Sequence, residues 1–105
     1  MKHLLFRAYY DPSVISENEI SEVLFGACDF SGAHIRTTGK YFFHPVGVSV
    51  FAILSESHAS VHSWPEKNFV VVDYFSCSEK PNFDKFTYFW SEHGFRVEGF
   101  RIVDR

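Results

Sequence analysis

Three strand-like runs follow one another across the middle of the chain with almost nothing between them. Val46 to Leu54, Ala59 to Trp64 and Phe69 to Phe75 leave only short connections, and the second of these, Pro65-Glu66-Lys67-Asn68, has turn composition. Such a block favours a mainly antiparallel sheet, since antiparallel strands join through tight turns whereas parallel ones need long crossovers. The first run is apolar and β-branched, the pattern of a strand buried on both faces. The second alternates, with Ser60, His62 and Trp64 on one face and Ala59, Val61 and Ser63 on the other.

The flanks supply the second layer. Leu4, Phe6, Ala8 and Tyr10 alternate with their neighbours and stop at Asp11-Pro12, which reads as a first strand. Ser16-Glu17-Asn18-Glu19 has the form of a capping box, in which a hydroxyl and a carboxylate satisfy free amides at a helix start. Ile20, Val23, Leu24 and Ala27 then share one helical face, with Gly32 as the stop. His34 to Thr38 and Tyr41 to Phe43 are short strand candidates separated by Gly39. Asn82 can cap a second helix carrying Phe83, Phe86 and Trp90 and ended by Gly94; Phe95 to Val103 forms a last strand. The expected fold is α+β: a two-layer α/β sandwich with a mainly antiparallel sheet in the order β-α-β-β-β-β-α-β, one domain over residues 1–105.

Composition narrows the function. The net charge is −3 and no run of Lys or Arg occurs, which disfavours nucleic acid, because phosphate neutralisation needs clustered cations. Cys28 and Cys77 are too few for a disulfide framework and fit a reducing, cytoplasmic setting. Arg7 interrupts the opening run too early for a signal peptide, and no stretch is long and apolar enough for a membrane span. The 13 Phe exceed what a small core needs and point to a partner surface, a second copy of the chain being the simplest.

The chemistry-bearing residues lie in and after Ser55-Glu56-Ser57-His58. A serine hydroxyl can attack the carbonyl that precedes it, exchanging the Glu56–Ser57 amide for an ester, provided the fold strains the bond and stabilises the oxyanion. Removal of the Ser57 Cα proton then breaks the ester by elimination, and the dehydroalanine left behind hydrolyses to a pyruvoyl group. His62 is the nearby base in strand geometry, and Cys77 is a thiol able to return a proton. Plainer readings exist for each residue. Ser57 suits an ordinary turn, and His58, His62 and Cys77 form an incomplete zinc set. Phe43 and Trp64 suit a core, Glu66 suits an exposed turn, and Cys28 suits packing against the sheet.

The longer string discriminates. Ser-Glu-Ser-His, then His62-Ser63-Trp64-Pro65-Glu66, then Val72-Asp73-Tyr74-Phe75-Ser76-Cys77 resembles the bacterial and archaeal S-adenosylmethionine decarboxylase family, most strongly over Phe43 to Cys77. The resemblance implies a proenzyme that cuts itself between Glu56 and Ser57 into a β chain, 1–56, and an α chain, 57–105. Ser57 would become the pyruvoyl group, which forms a Schiff base with substrate in place of pyridoxal phosphate. It further implies His62 as the processing base, Cys77 as the catalytic proton donor and Ser49 of Gly47-Val48-Ser49 as an aid to processing. No metal is implied. Phe43 would stack on adenine with Trp64 nearby, and Glu66 would contact the ribose of S-adenosylmethionine, in a homodimer whose protomers share active sites. The chain departs from the family pattern at Tyr41-Phe42, where His-Arg is usual, and at Val50, where Gly is usual. These changes surround the substrate pocket and leave two alternatives open: a pyruvoyl-dependent decarboxylase of arginine or ornithine, and a non-catalytic dimeric relative.

Overall fold

The computed structural model describes residues 1–105. In chain order the elements are β1 (Lys2–Tyr9), α1 (Glu17–Phe30), β2 (Ile35–Phe42), β3 (Val48–Leu54), β4 (Ser57–Trp64), β5 (Phe69–Ser76), α2 (Phe83–Glu92) and β6 (Arg96–Asp104). The strands form one six-stranded antiparallel sheet in the order β2-β3-β4-β5-β1-β6, as the α+β reading expects. Both helices pack on the same face, and no helix is long and apolar enough to cross a membrane.

Local chemistry explains the boundaries. Ser16 caps α1 by accepting from Glu19 N–H while the Glu19 carboxylate accepts from Ser16 N–H, an arrangement typically worth about 1 kcal/mol. Asn82 Oδ1 accepts from Lys85 N–H and starts α2 in the same manner. The core lies between the helices and one side of the sheet, where Phe6, Phe86 and Trp90 meet edge-on or tilted. Cys28 is fully buried there, and burial pushes its thiol pKa up to about 12.

Two sequence expectations are corrected. Gly39 does not divide β2: the strand runs through it, and the Phe51 ring of β3 lies where a Cβ would stand, its nearest carbon 2.2 Å from that position. Glycine here permits close approach of an aromatic ring from the neighbouring strand. Nor is β3 buried on both faces. Val48, Val50, Ala52 and Leu54 are buried under the helices, whereas Phe51 and Ile53 are 45% and 42% exposed. The single chain has no second layer on that side, so its apolar residues there remain uncovered.

Candidate active site

The Ser57 end of β4 begins at a two-residue turn, Ser55-Glu56, across which Leu54 pairs with Ser57. Glu56 has φ 63, the left-handed region that a glycine or asparagine normally fills in such a turn. A glutamate there carries strain on the order of 1–3 kcal/mol, which persists only where the surroundings hold the residue in place. They do. Ser55 N–H donates to His34 O at 3.1 Å, and Arg36 Nε donates to Ser55 Oγ at 2.9 Å. The Cys77 thiol, just past β5, donates to the carbonyl oxygen of Glu56. That carbonyl precedes Ser57 and is the one its hydroxyl would attack. A cavity of about 470 Å³ opens beside the turn and is lined by His34, Ser57, Tyr74, Cys77 and Lys80 among others.

The opposite end of β4 is crowded with side chains. Ser49 of β3 pairs with His62, and the Ser49 hydroxyl contacts His62 Nδ1. The His62 ring stands between Trp64, with centroids 4.1 Å apart, and Phe43, at 5.2 Å. Phe43 meets Tyr41 edge-on at 4.9 Å, and Trp64 stacks on Phe69 at 5.6 Å. Glu66 sits exposed in the single helical turn Pro65–Lys67 that follows β4.

The expected proximity of His62 to Ser57 is not found within one chain. The two lie five positions apart on a continuous strand, about 16 Å at strand rise. They also fall on opposite sides: Ser57 aligns with the helix-facing residues Ala59, Val61 and Ser63, and His62 with the uncovered face. The candidate residues therefore gather into two groups, Glu56, Ser57 and Cys77 at one end, and Phe43, Ser49, His62, Trp64 and Glu66 at the other. The suggested set of His58, His62 and Cys77 is likewise divided, His58 and Cys77 lying toward the Ser57 end and His62 toward the other.

One polar cluster escaped the sequence reading because its members come from three strands. On the uncovered face His3 Nε2 lies 2.7 Å from Asp73 Oδ2, His58 Nε2 lies 3.9 Å from the same oxygen, and Ser60 Oγ donates to Asp73 Oδ1. The three ligand-type atoms of His3, His58 and Asp73 fall within 4.8 Å of one another. An arginine can only donate, so the contact of Arg105 Nη1 with His3 Nδ1 at 2.9 Å makes Nδ1 the acceptor. His3 Nε2 then carries the proton and donates to Asp73. Arg105, His3, Asp73 and Ser60 thus form a hydrogen-bonded chain with the His3 lone pair turned to Arg105, and His58 lies beside it.

Residues 2–98 match the family model described as S-adenosylmethionine decarboxylase. The chain belongs to this family. It is 40% identical over 78 residues to S-adenosylmethionine decarboxylase proenzyme 2 of Bacillus cereus, covering 72% of this chain and 63% of that protein. To the S-adenosylmethionine decarboxylase proenzyme of Pyrococcus furiosus it is 38% identical over 76 residues, 71% of this chain and 55% of the other. The match thus spans between about half and two thirds of the length of these curated relatives. Among solved structures, the adenosylmethionine decarboxylase from Aquifex aeolicus superposes with a TM-score of 0.84 at 24% identity, over 99% of this chain and 88% of that one, which supports the fold.

Proposed function

We propose that this member of the S-adenosylmethionine decarboxylase family is a self-processing, pyruvoyl-dependent enzyme that releases carbon dioxide from S-adenosylmethionine and works as a homodimer. The observation that carries the reading is the Glu56–Ser57 bond: a left-handed glutamate whose carbonyl accepts from the Cys77 thiol, followed at once by a serine. Backbone strain beside the amide and polarisation of its carbonyl both favour an N-to-O shift. Ser57 Oγ bonds to the Glu56 carbonyl carbon and the C–N bond breaks, leaving an ester and a free Ser57 amine. Loss of the Ser57 Cα proton expels the Glu56 carboxylate, and hydrolysis of the resulting enamine releases ammonia. A pyruvoyl group at position 57 would supply a carbonyl that condenses with the substrate amine and accepts the electron pair when carbon dioxide leaves. The residues present fit that group: a serine at the mouth of a cavity, with a thiol beside it to hold and deliver a proton.

His62 supplies the base for the Cα proton, and its separation from Ser57 along β4 supports a second copy as the source. A second copy related by a two-fold axis would bring its Ser49–His62 pair to the Ser57 end of the first. The half-exposed Phe51 and Ile53 provide apolar area for such a contact. Phe43 offers a flat face to adenine and Glu66 a carboxylate to the ribose hydroxyls, so the Ser49–His62 group doubles as the nucleoside side of the shared site.

Denaturing mass spectrometry of the purified protein tests the processing step. Two pieces are expected, 1–56 and 57–105, the second without a free amino terminus, and Ser57→Ala should remain a single chain. An uncut wild-type chain after prolonged incubation at neutral pH would remove the enzyme reading. Release of labelled carbon dioxide from carboxyl-labelled S-adenosylmethionine, without added pyridoxal phosphate, tests the substrate. Faster release from arginine, ornithine or lysine would reassign the substrate and leave the processing chemistry in place.

A further inference from the structure

We infer that Glu17 is a positioning residue for the nucleoside end of the substrate, because its carboxylate, reaching from the first turn of α1, holds the loop that carries Phe43. The inference rests on the S-adenosylmethionine reading above. Residues 43–46, between β2 and β3, are all exposed. Phe43 N–H donates to Gly47 O at 2.8 Å, which closes the loop on itself without tying it to the body of the protein. The tie is the next amide: Gly47 N–H donates to Glu17 Oε1 at 2.8 Å, across 30 positions of sequence. Gly47 has φ 115, a conformation open to glycine and strained for other residues, so the site of the tie is built into the backbone.

The support continues beneath the loop. Val48 N–H donates to Ser63 Oγ at 2.9 Å, which fixes the start of β3 just past the tie. Burial raises the Tyr10 pKa, and the nearby carboxylates of Glu17 and Glu66 raise it further, while Ser63 opposes them. Tyr10 thus stays a neutral phenol between Glu17 and Glu66. Phe43, the residue proposed for adenine, is backed through Gly47 by a tie whose charged anchor is Glu17. A hydrogen bond to a charged acceptor is roughly twice as strong as a neutral one, which suits an anchor for an otherwise exposed segment.

Without that anchor, substrate would have to order the loop on binding, a cost that falls on affinity more than on chemistry. Glu17→Ala should raise KM for S-adenosylmethionine about tenfold with kcat within about twofold of wild type, the pattern of lost uniform binding. Self-cleavage should proceed at close to the wild-type rate, because Ser49 and His62 are held by strand pairing. Glu17→Gln keeps an acceptor oxygen at the same reach and should restore most of the affinity. Glu19→Ala separates positioning from helix stability: Glu19 also lies in the first turn of α1 and completes the cap, yet does not touch Gly47, so its loss should lower Tm and leave KM unchanged. An active enzyme whose Glu17→Ala KM matches wild type would overturn the inference. So would Glu17→Gln failing as badly as Glu17→Ala, or Glu19→Ala raising KM equally, since either would point to helix-terminus charge instead. A wild-type protein that processes itself but does not turn over S-adenosylmethionine would overturn the substrate reading and this inference together.

Discussion

The two ends of β4 differ in how they are built. At the Ser57 end the backbone is the unusual element: a two-residue turn with a left-handed glutamate, pinned by Arg36 and His34, and a carbonyl contacted by a thiol. At the Trp64 end the strand is regular and the side chains are unusual, with a histidine held by a serine and set between two aromatic rings. Breaking a peptide bond calls for strain in the bond itself, whereas removing a proton and gripping a nucleoside call for side chains on a rigid frame. One strand carries both ends, about 16 Å apart by its rise per residue, and on the proposed reading each would be half of a shared site.

The strongest test of that division is complementation. Ser57→Ala and His62→Ala should each be inactive alone, the first for want of a nucleophile and the second for want of a base. Co-expressed, they should form mixed dimers containing one intact site, drawn from the Ser57 end of one chain and the His62 end of the other. If chains pair at random, about a quarter of wild-type decarboxylation should return, since half the dimers are mixed and each holds one good site of two. No recovery, with mixed dimers shown by mass spectrometry, would mean that each site belongs to one chain.

This division is what the sequence did not disclose. The elements were legible because their signals are local: the Ser16–Glu19 cap, the apolar face of α1 and the alternation in β4 each involve residues a few positions apart. The residue types of the site were legible through the family string. Their grouping was not, because closeness of Ser57 and His62 in sequence is undone by the straightness of a strand that carries them apart. The His3–Asp73–His58 cluster and the Glu17–Gly47 tie were equally hidden, each joining elements far apart in the chain. The one-sided burial of β3 was missed because an apolar run does not reveal whether its second face meets the same chain or another.

A smaller effect should follow from Phe43→Ala, which alters only the nucleoside end. Loss of a stacking ring typically costs about 1–3 kcal/mol per base, so S-adenosylmethionine turnover at low substrate should fall roughly tenfold to a hundredfold. Self-cleavage, read by mass, should be unaffected, because the His62 ring is held by Ser49 through Nδ1 and Phe43 makes only a ring contact with it. Cleavage slowed as much as turnover would show that the two ends are not separable in this way.

The smallest expected effect concerns the two thiols, one at the strained end and one in the core beneath the sheet. Cys77 is partly exposed, whereas Cys28 is fully buried with its pKa pushed up to about 12. Alkylation of the folded protein at pH 8 should add one label, at Cys77, since only a thiolate that reagent can reach will react. The same burial gives stability a slope at high pH. The unfolded chain releases the Cys28 proton near its ordinary value of 9.0, the folded chain only near 12. Between those values the unfolded state binds fewer protons, so stability falls as pH rises; below them both states keep the proton and Cys28 contributes no slope. Urea unfolding across this range should show the decline, and Cys28→Ala should make it shallower, the buried Tyr10 and Tyr74 supplying the remainder. A second label on Cys28 in the folded protein at pH 8 would mean that the core beneath the Ser57 end opens readily, and the rigidity ascribed to the turn would then have to come from Arg36 and His34 alone.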